Sequence, residues 1–484
     1  MLLSSVPVDI VLEIIWALSD LQDVLSFTMT CRSLQQLTNE RNFWINCLKS
    51  TRLADIALPL PPCDDLTAHS LSSLKKIALH TIRREKNFKS SNPRIMGPVR
   101  KTRCSPGFHQ IVSNIPGTEM HVMASSDDGM VTCWDISSEK SLASVYVGHS
   151  IVNVWRTFDP PGPDAGKIFI ALMVSDAPVG TYSDLVVLSV TYGPQLSNVS
   201  LQVVFRYRFE SSPQSFSLAL SLDSELVAIA KISPDLQIYV FNYSLGQLEP
   251  SILLCNLDFD VHEDICQVVF YNRNLHLVVE RNRESHLYRC APASLPYDTA
   301  LPSCSPAFED DKYQIYEWPD ITTLGSGSLE IRRGWEAQSF FRARPNLLVS
   351  MSDLELEGRE PSFEFRVYDL DKVIPGRTVT DGQNAIMYGE ILYGTTIGTD
   401  DTFGFLLLHL SDLYLIFALN IHGEDTLTLY LLTFSADGTI GNAVEMELPP
   451  SVKLREAVSV TLDSVLGMVF IVTTQGEIIT IPFA

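Results

Sequence analysis

Nowhere in the 484 residues do the roughly 18 uncharged apolar residues of a membrane span run together. The longest apolar runs, such as Phe403 to Leu410 and Leu413 to Leu419, are strand-sized. No basic region precedes the N-terminal apolar stretch, and Asp9 and Glu13 interrupt it, so it does not read as a signal peptide. The nine cysteines, at 31, 47, 63, 104, 133, 255, 266, 290 and 304, form no CxxC. Their odd number and irregular spacing give neither a disulfide framework nor a zinc site. GxSxG, HExxH, a phosphate loop and a dinucleotide fingerprint are all missing, and the ten histidines are scattered. The expectation is a non-enzymatic protein of the cytoplasm or nucleus, with no metal, no cofactor and no membrane partner.

What is present is globular. Apolar residues make up 46 % of the chain and charged residues 19 %, unlike a disordered chain. Charge is uneven. Residues 1–100 carry a net +3, and the remainder carries −25 of the total −22. Acidity on that scale repels phosphates and argues against nucleic acid as a partner.

The first 50 residues read as short helices. Ile10, Ile14, Ala17, Leu18 and Leu21 recur at three- and four-residue steps, on one helical face. Pro7 suits the first turn. Ser19-Asp20 offers capping oxygens for a second helix with Leu21, Val24, Leu25 and Phe27. Thr30 is the expected cap of a third helix, and Phe43-Trp44 anchors a fourth turn. So small a module buries little alone and implies a partner. Pro59, Pro61 and Pro62 then mark a stiff connector. From His69 to Phe88 the helical period returns. Between Lys75 and Arg103 stand ten Lys/Arg and one acid, Glu85. That basic end reads as a solvated helix terminus seated on the acidic domain, or as a patch for a partner.

Beyond residue 95 the period becomes that of strands. Seven strand pairs follow: 121–125 with 130–136, 167–174 with 185–191, 226–231 with 236–241, 275–280 with 285–290, 346–351 with 363–370, 413–419 with 426–433, and 467–473 with 477–482. Runs such as 414–419 and 468–472 are apolar on both faces, as doubly covered strands are. Strand pairs recurring about every 50 residues read as propeller blades. Residues 291–335 form the longest interruption, either a surface loop or an inserted outer strand.

One pair carries a family signature. Ser125-Ser-Asp127-Asp-Gly129 is a turn, and the following strand ends in Trp134-Asp135, with Gly148-His149 next. This resembles a WD repeat, with Tyr368-Asp369 as a weaker copy. The sialidase Asp-box begins similarly, but its Trp would fall at 132, where Thr stands. In WD-repeat propellers the last blade borrows its outer strand from upstream. The resemblance therefore implies that residues 94–104 pair with 477–483 and close the ring.

The N-terminal residues resemble an F-box in order and spacing: Val6-Pro7-Val8-Asp9, Ile14-Ile15, Leu18, Asp23-Val24-Leu25, Cys31-Arg32 and Phe43-Trp44. The resemblance implies binding to a Skp-type adaptor, and through it to a cullin. It implies Pro7, Ile10, Ile14, Leu18, Leu21, Leu25 and Cys31 as contact or supporting positions, each equally open to internal packing. The whole plan is multidomain: an all-α F-box over 1–52, a connector and basic helix over 53–93, and an all-β propeller of seven blades over 94–484. It resembles F-box/WD-repeat substrate receptors of SCF-type ubiquitin ligases, in which the propeller holds a protein substrate. A scaffold that binds the adaptor or other proteins without directing ubiquitination is the second reading. Arg281, Arg283 and Arg289, or Arg332-Arg333 with Arg342 and Arg344, could read a phosphorylated segment, but a neutral or basic ligand suits so acidic a domain at least as well.

Overall fold

The computed structural model describes the chain apart from residues 1–6, 19, 54–55, 62–63, 105–108, 116, 126–127, 157–165, 176–181, 194–197, 210–215, 232–235, 247–248, 255–264, 282–283, 291–294, 298–303, 307–312, 317–339, 345–346, 355–361, 370–407, 412–413, 421–426 and 435–442. A small helical region comes first, and β-sheet follows in a propeller-like succession. No helix among the described residues is long and apolar enough to cross a membrane.

The helices are α1 (Val8–Ala17), α2 (Leu21–Thr28), α3 (Arg32–Leu37), α4 (Arg41–Leu53) and α5 (Leu71–Phe88). Asp20 caps α2, its carboxylate accepting from Gln22 N at 2.7 Å. Ser70 caps α5 by accepting from Ser73 N. Two local expectations need correction. Thr30 does not cap α3. Its Oγ1 donates backwards to Phe27 O at 2.7 Å, and Cys31 takes the cap position without a side-chain bond. Phe43-Trp44 sits in the full 13-residue helix α4 rather than in a single turn, with both rings buried and edge-on at 5.3 Å. These helices share one core, in which Val11, Ile15, Val24, Leu34, Trp44, Leu48 and Leu74 meet.

Strand β1 (Arg100–Arg103) precedes the sheets. The first sheet runs β2 (His109–Asn114), β3 (Met120–Ser125), β4 (Met130–Asp135), β5 (Lys140–Tyr146), and the second runs β6 (Ser150–Arg156), β7 (Lys167–Ser175), β8 (Ser183–Thr191), β9 (Ser200–Phe209). The third is β10 (Phe216–Leu222), β11 (Leu226–Lys231), β12 (Gln237–Asn242), β13 (Ser251–Leu254), and the fourth begins β14 (Ile265–Tyr271), β15 (Asn274–Arg281), β16 (Glu284–Cys290). The 291–335 interruption then supplies two outer strands. β17 (Cys304–Pro306) adds to β13 in parallel, and β18 (Tyr313–Tyr316) adds to β16. The fifth sheet holds β19 (Phe340–Arg344), β20 (Leu347–Leu354) and β21 (Ser362–Asp369). The sixth holds β22 (Leu408–Ser411), β23 (Tyr414–Asn420), β24 (Leu427–Thr433) and β25 (Val444–Glu445). The last is β26 (Ala457–Asp463), β27 (Met468–Thr473) and β28 (Glu477–Pro482), and β1 is its fourth strand, antiparallel to β28 with Arg100 opposite Thr480 and Arg103 opposite Glu477.

The cores lie between sheets. Val122, Val131, Ile170 and Val186 fill the space between the first and second, and Val187, Phe205, Ile229 and Phe241 that between the second and third. The first and last sheets also meet, through Ile111, Met123, Phe470, Val472 and Ile478. That seam carries polar groups as well. Asn114 Nδ2 donates to Leu462 O at 3.2 Å, and Arg100 pairs with Glu119 at 2.7 Å.

His121, fully buried, lies with its ring 4.2 Å from that of Phe470. Among the described residues neither of its ring nitrogens has a hydrogen-bond partner, and burial lowers its pKa from 6.5 to about 3. The unfolded chain therefore takes up this proton below 6.5, while the folded chain refuses it until about 3. Stability from the neutral ring is complete above that window and falls as pH drops through it. Between pH 7 and pH 5 the loss is about 2 kcal/mol. Urea unfolding at the two pH values should show this increment in the wild type and not in His121→Leu. Equal losses in both proteins would contradict the assignment.

Candidate partner-docking site

Helix α1 is apolar nearly all round. In VDIVLEIIWA only Asp9 and Glu13 are charged. Its inner side, Val11 and Ile15, is buried in the helical core. A ten-residue helix in so small a module cannot cover its remaining apolar surface. Ile10 stays 46 % exposed, Ile14 40 % and Trp16 44 %. Pro7 is exposed at the start of the helix, and its carbonyl accepts from Val11 N at 3.2 Å.

The seven positions expected to serve an adaptor therefore divide. Pro7, Ile10 and Ile14 are open to solvent, whereas Leu18, Leu25 and Cys31 are half-buried. Leu21 is buried with Val24 and Thr28 on the inner side of α2, so it supports the surface from within. The four-residue step from Ile10 to Ile14 lies within α1, whereas the step from Leu18 to Leu21 crosses from the C-cap of α1 to the first residue of α2. The face that the sequence pattern joins is thus split by the break at Asp20. Trp16 and Met29, exposed beside these positions, fall off that pattern. The signal for Trp16 was the near absence of polar residues from α1.

The repeat-signature residues sit elsewhere, in the β region, and Gly129 and Asp135 serve turns. Asp127 lies outside the described residues. Gly129 has φ +66°, and a Cβ there would collide with Gly148 O, so this turn requires glycine. Trp134 stands opposite His121 in the β3–β4 ladder. The Asp135 carboxylate accepts from Ser137 N and from the hydroxyls of Ser137 and Ser138, closing the β4–β5 turn. Tyr368 and Asp369 occupy the last two positions of β21.

Helix α5 fixes the docking helices to the sheets. Its inward stripe, Leu74, Ile77, Thr81, Arg84 and Phe88, is buried. Arg84 is an arginine on a core stripe, which the reading of a solvated basic end overlooked. Its Nη1 donates to Ala57 O at 2.8 Å and to Val465 O at 3.0 Å, and its Nη2 meets Glu85 at 2.6 Å. Burial alone would raise the Glu85 carboxyl, but the charges and hydrogen bonds of Arg84 and then Lys89 outweigh it and lower the pKa. Tyr414 Oη donates to the same carboxylate at 3.1 Å. His80 donates to Leu466 O, Asn87 Nδ2 donates to Phe483 O, and the Phe88 ring packs on Tyr414 and Phe483. Connector, helix and last two sheets are thus joined through one guanidinium and its neighbours. Among the described residues no group of His, Cys, Asp and Glu could hold a metal ion.

No family model and no curated protein matches the chain. Among solved structures it is similar to a chain from the crystal structure of the mitotic checkpoint complex, at 9 % identity and a TM-score of 0.36, over 82 % of this chain and 97 % of that one. It is also similar to a chain of Kuenenia stuttgartiensis hydrazine synthase, at 12 % identity and a TM-score of 0.38, over 80 % of this chain and 98 % of that one. Likeness of that degree decides nothing about function.

Replacing Arg84 by leucine removes the guanidinium donor from two backbone carbonyls and the nearest cation from the Glu85 carboxylate. The expected cost is on the order of 3 kcal/mol. Urea unfolding followed by tryptophan fluorescence measures it. An unchanged midpoint would show that the guanidinium does not hold the seat.

Proposed function

We propose that this chain is the substrate-recognition subunit of an SCF-type cullin–RING ubiquitin ligase, non-catalytic itself and acting in the cytoplasm or nucleus. Its helical module is read as an F-box that docks on a Skp-type adaptor, and its sheets as a seven-bladed, degenerate WD-repeat propeller that binds a protein substrate.

One observation carries the reading. The residues that spell the F-box pattern build a folded module whose first helix leaves Ile10, Ile14 and Trp16 uncovered while its other side is packed. An uncovered apolar cluster on a packed scaffold suits a stable protein interface. Burying each such side chain is worth about 1.5–3 kcal/mol. The seat of α5 then gives the adaptor role its use. Held rigidly, a substrate on the propeller stays at fixed reach from the ligase, which raises the effective concentration of its lysines.

The double variant Ile10→Asp, Ile14→Asp tests the docking face. Both side chains are exposed, so melting should be unchanged. Affinity for the purified adaptor should fall by about a hundredfold or more. Full adaptor binding by that variant would sink the F-box reading. Adaptor binding by the wild type without cullin in the purified complex would assign the chain to a scaffold instead.

The ring has its own test. Deleting residues 478–484 removes β28, on which both β27 and β1 pair. The truncated chain should lose its single cooperative melt. Melting unchanged by the deletion would refute closure through these strands.

A further inference from the structure

The outer side of α5 is as uniform as its inner side. On a helix of about 3.6 residues per turn, Lys76, Leu79, Arg83 and Lys86 fall within a sector of about 80° and run about 15 Å along the axis. The buried stripe of the helix, centred on Thr81, lies directly opposite. Lys76, Arg83 and Lys86 are exposed, and Leu79, 40 % exposed, stands among them. No acid lies on this outer stripe. Glu85, the one acid between Lys75 and Arg103, is on the far side of the helix, where Arg84 and Lys89 engage it.

Two ordinary accounts of such a stripe fail. Cations at a helix C-terminus complement the dipole, but that effect is confined to the last turn and covers Lys86, not Lys76 or Arg83. Nor do these cations seat the helix on the acidic sheets. Arg84 does that from the buried side, while Lys89 pairs with Glu85 and Lys75 donates to Asn39 Oδ1. Among the described residues the side chains of Lys76, Arg83 and Lys86 have neither an ion pair nor a hydrogen bond. Opposite charges one turn apart stabilise a helix, and like charges, as at Arg83 and Lys86, oppose it. A chain with 57 acidic and 35 basic residues nevertheless places no acid here.

Spacing and charge indicate what covers the stripe. Its cations are stepped by about 10.5 Å and then about 4.5 Å along the axis. An extended chain presents same-face side chains about every 6.8 Å and matches neither step. A second helix lying alongside matches both, with carboxylates at the same seven- and three-residue intervals and an apolar side chain between them against Leu79. The net charge of −25 beyond residue 100 repels nucleic acid and anionic lipid surfaces, which would approach the whole body of the protein. A single acidic helix need approach only α5.

We propose that the outer stripe of α5 docks an acidic amphipathic helix of a partner protein, with carboxylates on Lys76, Arg83 and Lys86 and an apolar side chain on Leu79. It is independent of what α1 binds.

The probes are two blocked Ala/Gln helical peptides with three Glu and one Leu at these intervals, one in forward and one in reverse order, titrated against the full chain by fluorescence anisotropy. One of them should bind below about 1 mM at low salt and weaken as salt rises. The same residues scattered round the peptide helix should bind about tenfold or more weakly. The triple variant Lys76→Gln, Arg83→Gln, Lys86→Gln changes exposed positions to a good helix former. It should melt like the wild type and lose affinity for the peptide about tenfold or more. The Ile10→Asp, Ile14→Asp variant should bind the peptide as the wild type does. Neither phosphatidylserine vesicles nor a DNA duplex should show binding that the triple variant loses. The proposal is overturned by no binding of either peptide, by equal binding of the scattered peptide, by equal binding to the triple variant, by loss in the α1 variant, or by such binding of vesicles or DNA.

Discussion

The antiparallel pairing of β1 with β28 is the constraint on which the rest depends. It joins residues 100–103 to residues 477–480, so the last sheet is complete only when both ends of the β region are in place. The pairing also fixes where α5 ends, because Phe88 and Asn87 just upstream meet Tyr414 and Phe483. Backbone ladder and helix seat therefore support each other. Loss of either exposes the apolar side chains of Ile479, Ile481 and Phe483, all buried in one cluster with Phe88.

Buried side chains that find no hydrogen-bond partner among the described residues concentrate where the first and last sheets meet. Between the first and second sheets lies an apolar cluster, with Arg206 Nη2 donating to Val147 O. At the seam of first and last sheets stand Asn114, His121, Thr461 and Thr480, buried, with side-chain atoms that lack hydrogen-bond partners. Such groups cost free energy that an aliphatic seam would not. They also restrict which surfaces can pair, since Asn114 must reach Leu462 O and Arg100 must reach Glu119. A seam that joins distant parts of the chain has more wrong partners to reject than one formed by consecutive sheets. Polar residues there discriminate at a cost in stability.

Much of this was legible in the residues, and the limits have physical causes. Inner strands such as β11, LVAIAK, and β27, MVFIVT, stand out because they are buried almost throughout. Outer strands do not stand out. β5, KSLASVY, is largely exposed and carries no period that separates it from a loop. Within 291–335 the sequence left a surface loop and an inserted outer strand open and did not locate β17 or β18, since a three- or four-residue strand is defined by its neighbour and not by its own side chains. In the helical region, periodicity placed apolar residues on helices without telling which of two apolar sides faces inward. α1 has both, and only packing against α4 distinguishes Ile14 from Ile15. Arg84 escaped notice because a charged residue is ordinarily assigned to solvent, although its spacing from Ile77, Thr81 and Phe88 put it on the buried stripe.

The two exposed surfaces of interest follow from one principle applied twice. An element buries what its neighbours can cover, and what remains is set by how many neighbours it has. α1 is flanked by other helices on one side only, so Ile10, Ile14 and Trp16 remain. β9 is the last strand of its sheet, so Val203, Val204 and the edge of the backbone remain. The difference lies in the accompanying charge. Beside Ile10 and Ile14 stand Asp9 and Glu13, the only charged residues of α1. Near Val203 and Val204 stand Arg206 and Arg208, both paired with the buried Asp184 carboxylate.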